Sequence, residues 1–146
     1  MTDLDQVRAL AATETGLCVV STTRPDGSAH ATVVNAGVLP HPMSGREVVG
    51  FVVRGDARKL SHFRRTGRCT VTFRRAWSWA GVEGMVDIAG PDDELGGLDD
   101  AAFVRLLRDV FTAAGGTHDD WDEYDRVMQQ ERRAAVLVHP ERLSGR

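Results

Sequence analysis

The spacing of hydrophobic and polar positions changes along the chain, and each change predicts a new element. Alternating or continuous apolar runs between turn residues predict β-strands, whereas apolar residues three or four positions apart predict amphipathic helices. Six segments follow the strand pattern: residues 17–23, 29–39, 47–53, 68–74, 78–88 and 134–139.

The same patterns predict two short helices in the first half of the chain. One precedes the first strand, with Thr2 or Asp3 as its N-cap and Gly16 as its stop. The other follows the third strand, with Asp56 as its N-cap and Gly67 at its far end.

A pair of helices is predicted between the fifth and sixth strands. Asp99 is the expected cap of the first, and Thr117 with Asp120 resembles a capping box at the start of the second. Their apolar stripes are Phe103, Leu106, Leu107, Val110 and Phe111 in the first helix, and Trp121, Tyr124, Val127 and Met128 in the second.

These elements favour one α+β domain, mainly β, that spans residues 1–146. Hairpin turns such as the Pro-Asp-Gly turn at residues 25–27 join consecutive strands, so the strands are antiparallel. Six strands in an open sheet would leave two bare edges, which favours closure into a small barrel. We therefore expect a six-stranded antiparallel barrel with a C-terminal helix pair.

Composition narrows the class of protein without identifying it. The 146 residues carry a formal net charge of −3, and no apolar run approaches the roughly 20 residues of a membrane span. Only two cysteines are present, and the N-terminal residues lack the apolar core of a secretory signal. A reduced, cytoplasmic setting is the expectation, with no membrane span.

Basic residues are concentrated in one part of the chain. Eight of the 18 fall within residues 54–75, where Asp56 is the only acid, and such clustering predicts a binding place for an anion. The acidic remainder and a pI near 5.9 argue against a nucleic-acid duplex and favour a small phosphorylated ligand. The eight are Arg54, Arg58, Lys59, Arg64, Arg65, Arg68, Arg74 and Arg75.

The junction between the third strand and its helix is the most informative part of this basic segment. Arg54 and Gly55 form the turn, and Arg58 and Lys59 fall in the first turn of the helix. Cations there oppose the helix dipole, while the free N–H groups of a helix start attract a phosphate. A bound anion would remove the unfavourable charge arrangement, so we favour an anion site over a merely solvated helix.

A second candidate feature is the pair of tryptophans in the fifth strand region. Trp77 and Trp79 are two positions apart, which places them on one face of a strand as a platform for an aromatic ring. Core packing is the commoner role of tryptophan in a strand, so this signal is weak alone.

Motifs of other chemistries are absent from the sequence. The five histidines show no metal-ligand spacing, so no metal site is predicted. No nucleophile elbow, P-loop or dinucleotide-binding glycine motif occurs, and no residue is assigned a catalytic role. Such a protein would bind a phosphate-bearing cofactor and leave the reaction to it.

Several segments are informative in combination: residues 23–27, 33–35, 58–60, 64–65 and 68, 77–79 with 82–84, 118–124 and 132–137. Together they resemble the pyridoxamine 5′-phosphate oxidase-like, FMN-binding split-barrel superfamily. Within it they look like the actinobacterial branch of flavin/deazaflavin oxidoreductases, class B, which uses coenzyme F420.

The resemblance implies a homodimer with cofactor sites at the subunit interface. Arg54, Arg58 and Lys59 would hold the cofactor phosphate, and the backbone at Gly55 would contribute N–H groups. Further expected positions are Val34, Asn35 and Trp77 beside the cofactor ring, and Trp79 lining the substrate pocket of its own or the partner subunit.

The resemblance also implies the reaction: reduced F420 gives a hydride to an electron-poor double bond in an enone, quinone, imine or tetrapyrrole. The alternatives are an FMN-dependent oxidase or reductase, and a carrier of F420, a tetrapyrrole or a fatty acyl group. Nucleic-acid binding through the basic helix is a third alternative. Ala57 stands where relatives commonly have arginine, so Arg54 or Arg58 is expected to replace that contact.

Overall fold

A computed structural model describes residues 2–146 as seven strands and four helices. In chain order the elements are α1 (Leu4–Thr13), β1 (Leu17–Thr23), β2 (Ala29–Pro40), β3 (Glu47–Val53), α2 (Arg58–Thr66), β4 (Arg68–Arg75), β5 (Ser78–Ala89), α3 (Asp100–Ala113), α4 (Trp121–Gln130), β6 (Ala134–Val138) and β7 (Arg142–Gly145).

The first six strands close into an antiparallel barrel. The strands run in the order β4-β1-β2-β3-β6-β5, and a β4–β5 pairing completes the ring. β7 lies outside this ring and pairs with residues 80–83 of β5. The predicted six-stranded barrel with a C-terminal helix pair is confirmed.

Two hydrophobic clusters hold the fold together. The first fills the barrel, where Phe51, Phe63 and Phe73 are almost wholly buried. The second lies between α3, α4 and the outer faces of β2, β3 and β6, and includes Val110 and Leu137. Because β3 and β6 pack on both faces, they are nearly continuously apolar instead of alternating.

The helix starts show where two predicted caps were wrong. The N-cap of α2 is Ala57, and it makes no side-chain cap bond. Asp56 does not cap because the Ala57 N–H donates to the Arg54 carbonyl, which closes a turn and delays the helix by one residue. α4 is capped by Asp120, whose side chain accepts the Glu123 N–H, so Thr117 lies outside that helix. The predicted caps Asp3 and Asp99 are confirmed.

Strand bounds match the predictions to within one residue, but β7 was not predicted. β2, β4 and β5 each extend one residue further than expected, and β6 ends at Val138, one residue earlier. β7 is only four residues long and has no apolar alternation, so only its non-local pairing with β5 makes it a strand.

Gly37 allows α3 to lie directly against β2. A Cβ at this position would lie 2.2 Å from both the carbonyl carbon and the carbonyl oxygen of Ala113, near the end of α3. These are backbone atoms and cannot rotate away.

We therefore expect Gly37→Ala to lower the free energy of unfolding by about 3 kcal/mol, the upper part of the range for overpacked sites. Denaturant unfolding followed by circular dichroism measures it. Gly96→Ala is the matched control, because nothing lies within 4 Å of a Cβ at Gly96. Equal stability of the two variants would contradict the close α3–β2 contact.

Candidate functional site

A cavity of about 650 Å³ opens where β3 ends and α2 begins. It is bounded by β2, by the β3–α2 turn, by the C-terminal part of α3 and by α4. Its volume falls within the roughly 300–1,000 Å³ typical of small-molecule and cofactor sites. Four residues singled out from the sequence line it: Val34, Asn35, Arg54 and Lys59.

Lys59 supplies a partly buried cation to this cavity. Its Nζ donates to Thr32 Oγ1 at 2.8 Å, which fixes the ammonium between α2 and β2. Burial lowers the pKa of Lys59 from its ordinary value of 10.5. Within residues 2–146, no carboxylate lies within ion-pair distance of Lys59. An anion entering the cavity would therefore meet a cation without a counter-ion.

The first turn of α2 adds backbone donors to the same place. Ala57 provides no side-chain acceptor, so the N–H groups of Arg58 and Lys59 are not capped by it. The Arg58 side chain is exposed and does not line the cavity, whereas the Ala57 and Lys59 side chains do.

Arg54 and Arg133 bring two guanidinium groups to the cavity wall, and Glu131 joins them. Arg54 Nη1 lies 3.2 Å from Glu131 Oε2, and Arg133 Nη2 lies 3.1 Å from Glu131 Oε1. Arg54 Nε also lies 3.5 Å from Asp56 Oδ1. Arg133 was not singled out from the sequence, because it falls at the junction of α4 and β6, far from the basic segment.

Gly55 has a packing role in this structure. Its N–H donates to the Glu131 carbonyl at 3.2 Å, so that donor is already engaged. A Cβ at Gly55 would lie 2.5 Å from the Arg132 carbonyl oxygen. The missing side chain therefore lets the β3–α2 turn pack against the α4–β6 turn, and this contact brings Arg54 beside Arg133.

Two of the six other basic residues in this segment are neutralised by acids from elsewhere in the chain. Arg64 pairs with Asp93 through a two-pronged contact, and Arg68 pairs with Glu141 at 2.7 Å. The folded chain thus separates the eight basic residues, and only Arg54 and Lys59 of that group line the cavity.

The other walls of the cavity are apolar and aromatic. Val33 and Val34 come from β2, Phe111 from α3, and Tyr124 and Met128 from α4. The Tyr124 hydroxyl donates to the Leu107 carbonyl at 2.8 Å, and burial raises its pKa to about 12. The α3 and α4 residues had been predicted only as core stripes, since spacing shows which face is buried and not whether it borders a cavity.

Neither tryptophan of the predicted platform lines this cavity within the described chain. The Trp77 side chain is 91% exposed in the β4–β5 turn, and Trp79 follows at the start of β5, half exposed. Their placement beside a ligand stays a prediction that depends on a second subunit.

Three residues that the sequence did not connect meet at the opposite end of β2. Nε2 of His41 and Nε2 of His139 each lie 2.8 Å from Asp87 Oδ2. This grouping could hold a metal ion. However, His41 Nδ1 accepts the N–H groups of Met43 and Ser44, so its proton belongs on Nε2, which then cannot coordinate. The cluster fits a carboxylate held by two imidazoles, and the expectation of no metal site stays a prediction.

The histidines also shift the ionisation of Asp87. Partial burial opposes its charge, but the hydrogen bonds from His139 and His41 outweigh burial and hold the pKa of Asp87 below 3.8. A carboxylate with a lower pKa in the folded state stabilises the fold above its unfolded pKa. That stabilisation is lost as the pH falls through the folded-state value.

Comparisons with known proteins support the fold. No family model matches the chain, and no curated protein matches it in sequence. A conserved hypothetical protein of Mycobacterium tuberculosis aligns with a TM-score of 0.67 and 16% identity over 99% of this chain and 84% of its own. An F420 reductase aligns with a TM-score of 0.57 and 17% identity over 89% of this chain and 90% of its own.

A third solved structure has a similar fold. It is a pyridoxamine 5′-phosphate oxidase-related, FMN-binding protein of Nostoc punctiforme, with a TM-score of 0.62 and 12% identity over 97% of this chain and 79% of its own. The split-barrel fold inferred from the sequence resemblance is therefore confirmed. At these identities the likeness concerns the fold alone. Within residues 2–146, no helix is long and apolar enough to cross a membrane.

The Asp87 cluster yields a stability prediction. Asp87→Asn removes the charged hydrogen-bond acceptor of two imidazoles. We expect the free energy of unfolding to fall by about 1 kcal/mol at pH 7, a small loss because the carboxylate is partly exposed. The corresponding fall in Tm is about 3 °C. The difference from the parent should narrow as the pH falls below 3.8 and through the folded-state pKa, where the parent carboxylate also loses its charge.

Thermal unfolding across this pH range measures the effect, and Glu14→Gln, which removes an exposed carboxylate, serves as control. A stability difference that does not change with pH would show that the Asp87 charge has no part in it. A rise in the parent Tm on adding Zn²⁺ would contradict the hydrogen-bonded assignment.

Proposed function

We propose that this protein is an oxidoreductase that binds a phosphorylated deazaflavin, coenzyme F420, in the cavity at the end of β3. The observation that carries the proposal is the position of Lys59, a half-buried cation with no ion-pair partner among residues 2–146. It lies at the uncapped start of α2 and beside an apolar slot. It rests also on the likeness of the fold to an F420 reductase and to an FMN-binding protein.

The residues present fit such a cofactor. Ammonium, guanidinium and helix-start N–H groups are the donors that bind phosphate. The apolar side chains of Val34 and Phe111, in the same cavity, suit the flat face of a ring system. Phosphate at Lys59 and a ring along β2 would agree with the roles that the sequence resemblance assigns to Lys59, Val34 and Asn35.

The cofactor would supply the hydride, and the chain would bind, orient and exclude water. Asn35 is held by its side-chain donation to the Thr15 carbonyl at 2.8 Å, which keeps this wall of the slot fixed. The substrate class is an organic compound with an electron-poor double bond. Trp79 is proposed to line its pocket.

FMN is the second candidate cofactor, and the FMN-binding protein of similar fold favours it. FMN shares the phosphate and the tricyclic ring, so the same cation and apolar slot would serve it. Titrating the purified protein with F420 and FMN separates the two. Submicromolar binding of FMN without affinity for F420 would reject the deazaflavin and retain the site.

We further propose that two copies of this chain form a homodimer through the outer face of β1 and β2. Leu17, Val19 and Val33 form a neighbouring exposed apolar group on that face, and Val33 is 61% exposed. Apolar groups of this kind mark interaction surfaces. Because Val33 also lines the cavity, a second copy on this face would border the site and could bring Trp77 or Trp79 to it.

The proposed phosphate contact of Lys59 can be tested by substitution. Lys59→Gln should weaken binding of F420 or FMN by about tenfold to a hundredfold, the value of a charge-assisted hydrogen bond. Quenching of cofactor fluorescence measures the dissociation constant. Arg75→Gln, the same charge change at an exposed residue outside the cavity, should leave it nearly unchanged. Equal cofactor affinities of Lys59→Gln and Arg75→Gln would show that the phosphate does not bind at Lys59.

The proposed homodimer interface can be tested in the same way. Val19→Arg places a charge in the middle of the proposed interface and should convert a dimer into a monomer, as measured by size exclusion with light scattering. Val104→Arg on α3 is the matched control, because Val104 is 37% exposed and Val19 is 39% exposed. A parent protein that is monomeric at micromolar concentration would contradict the interface.

A further inference from the structure

The α4–β6 turn forms part of the cavity, although it lies more than seventy residues beyond the β3–α2 turn in the sequence. The two turns are joined by the Gly55 N–H to Glu131 carbonyl bond and by the close approach of Gly55 to Arg132. Arg133 is the residue of this turn that lines the cavity.

The Arg133 side chain is held in one orientation. Its Nε and Nη2 donate to Glu131 Oε1 at 3.2 and 3.1 Å, and the side chain is only 26% exposed. The other oxygen of this carboxylate, Glu131 Oε2, pairs with Arg54. Both guanidinium groups thus contact the Glu131 carboxylate, and Arg54 also lies 3.5 Å from Asp56 Oδ1, so two carboxylates balance the two arginines. Arg133 retains Nη1 as a donor that Glu131 does not engage.

Arg133 and Lys59 lie on opposite sides of β3. β3 lies between β2 and β6, Lys59 is bonded to Thr32 on β2, and Arg133 immediately precedes β6. Neighbouring strands are about 4.8 Å apart, so the β2 and β6 sides of the cavity are about 10 Å apart. A ligand whose phosphate lies at Lys59 would reach Arg133 only with another part of its structure.

We propose that Arg133 binds a second electronegative group of the ligand, at the end of the ring system away from the phosphate, and that Glu131 positions it. This inference rests on the proposed cofactor site and names a contact within it. The ligand class is a phosphorylated aromatic compound with a carbonyl or ionised ring nitrogen on its far edge. Lys59 selects for the phosphate, and Arg133 selects for the ring edge.

Ligand pairs with and without phosphate test this division. The probes are FMN with riboflavin, and F420 with its phosphate-free deazariboflavin core, each titrated by fluorescence quenching. Lys59→Gln should weaken the phosphorylated member by at least tenfold and leave the phosphate-free member within about twofold. Arg133→Gln should weaken both members of a pair by a similar factor, about tenfold.

The neighbouring arginine provides a matched control. Arg132→Gln removes the same charge from the same turn, but the Arg132 side chain pairs with Asp92 and does not line the cavity, so both affinities should be unchanged. Equal weakening by Arg132→Gln and Arg133→Gln would show a general charge effect and overturn the contact. Arg133→Lys keeps the charge and tests the site if Arg133→Gln does not fold. It should weaken both members partially.

The outcomes separate this inference from the proposed function. If the parent binds neither ligand pair, the proposed function fails and the Arg133 contact fails with it. If the parent binds a pair and Arg133→Gln binds it equally well, only the Arg133 contact is wrong. If Arg133→Gln weakens the phosphorylated member alone, Arg133 belongs to the phosphate site, and the ring-edge assignment is overturned.

Discussion

The contact between the β3–α2 turn and the α4–β6 turn determines the shape of the candidate site. β3 is hydrogen-bonded to β2 on one side and to β6 on the other, so its end is fixed within the barrel. Gly55 then meets Arg132 and Glu131 at a distance that no side chain at residue 55 would permit. This packing places Arg54 beside Arg133, and the start of α2 opens the cavity next to them.

Charge in the folded chain is organised differently from charge along the sequence. The clustering at residues 54–75 predicts an anion site, but in the folded chain distant acids neutralise members such as Arg64 and Arg68. The cations available to a bound anion are those that line the cavity in the folded chain. Burial lowers the pKa of Lys59, and a bound anion would raise it again, because an opposite charge favours the protonated form.

Local patterns predicted the fold well because strands, turns and caps are specified by neighbouring residues. β1 and β3 have the predicted bounds, and Asp3 and Asp99 cap their helices. The errors occurred where distant contacts decide. β7 exists only through its pairing with β5, and the Asp87 cluster joins the ends of β2 and β6 to β5. Arg133 likewise enters the site through packing between turns that are far apart in the chain.

The polar groups of the cavity limit what the chain itself contributes to a reaction. The Tyr124 hydroxyl donates a hydrogen bond to the Leu107 carbonyl, and its pKa of about 12 makes it a poor acid at neutral pH. Among the described lining residues, Arg54, Arg133 and Lys59 are cations whose value lies in holding an anion, and Asp56 is exposed at the rim beside Arg54. Walls of this kind suit the binding and orientation of a ligand. Under the proposed function, the redox chemistry would come from the ligand, and this property distinguishes a flavin or deazaflavin from other phosphorylated aromatic compounds.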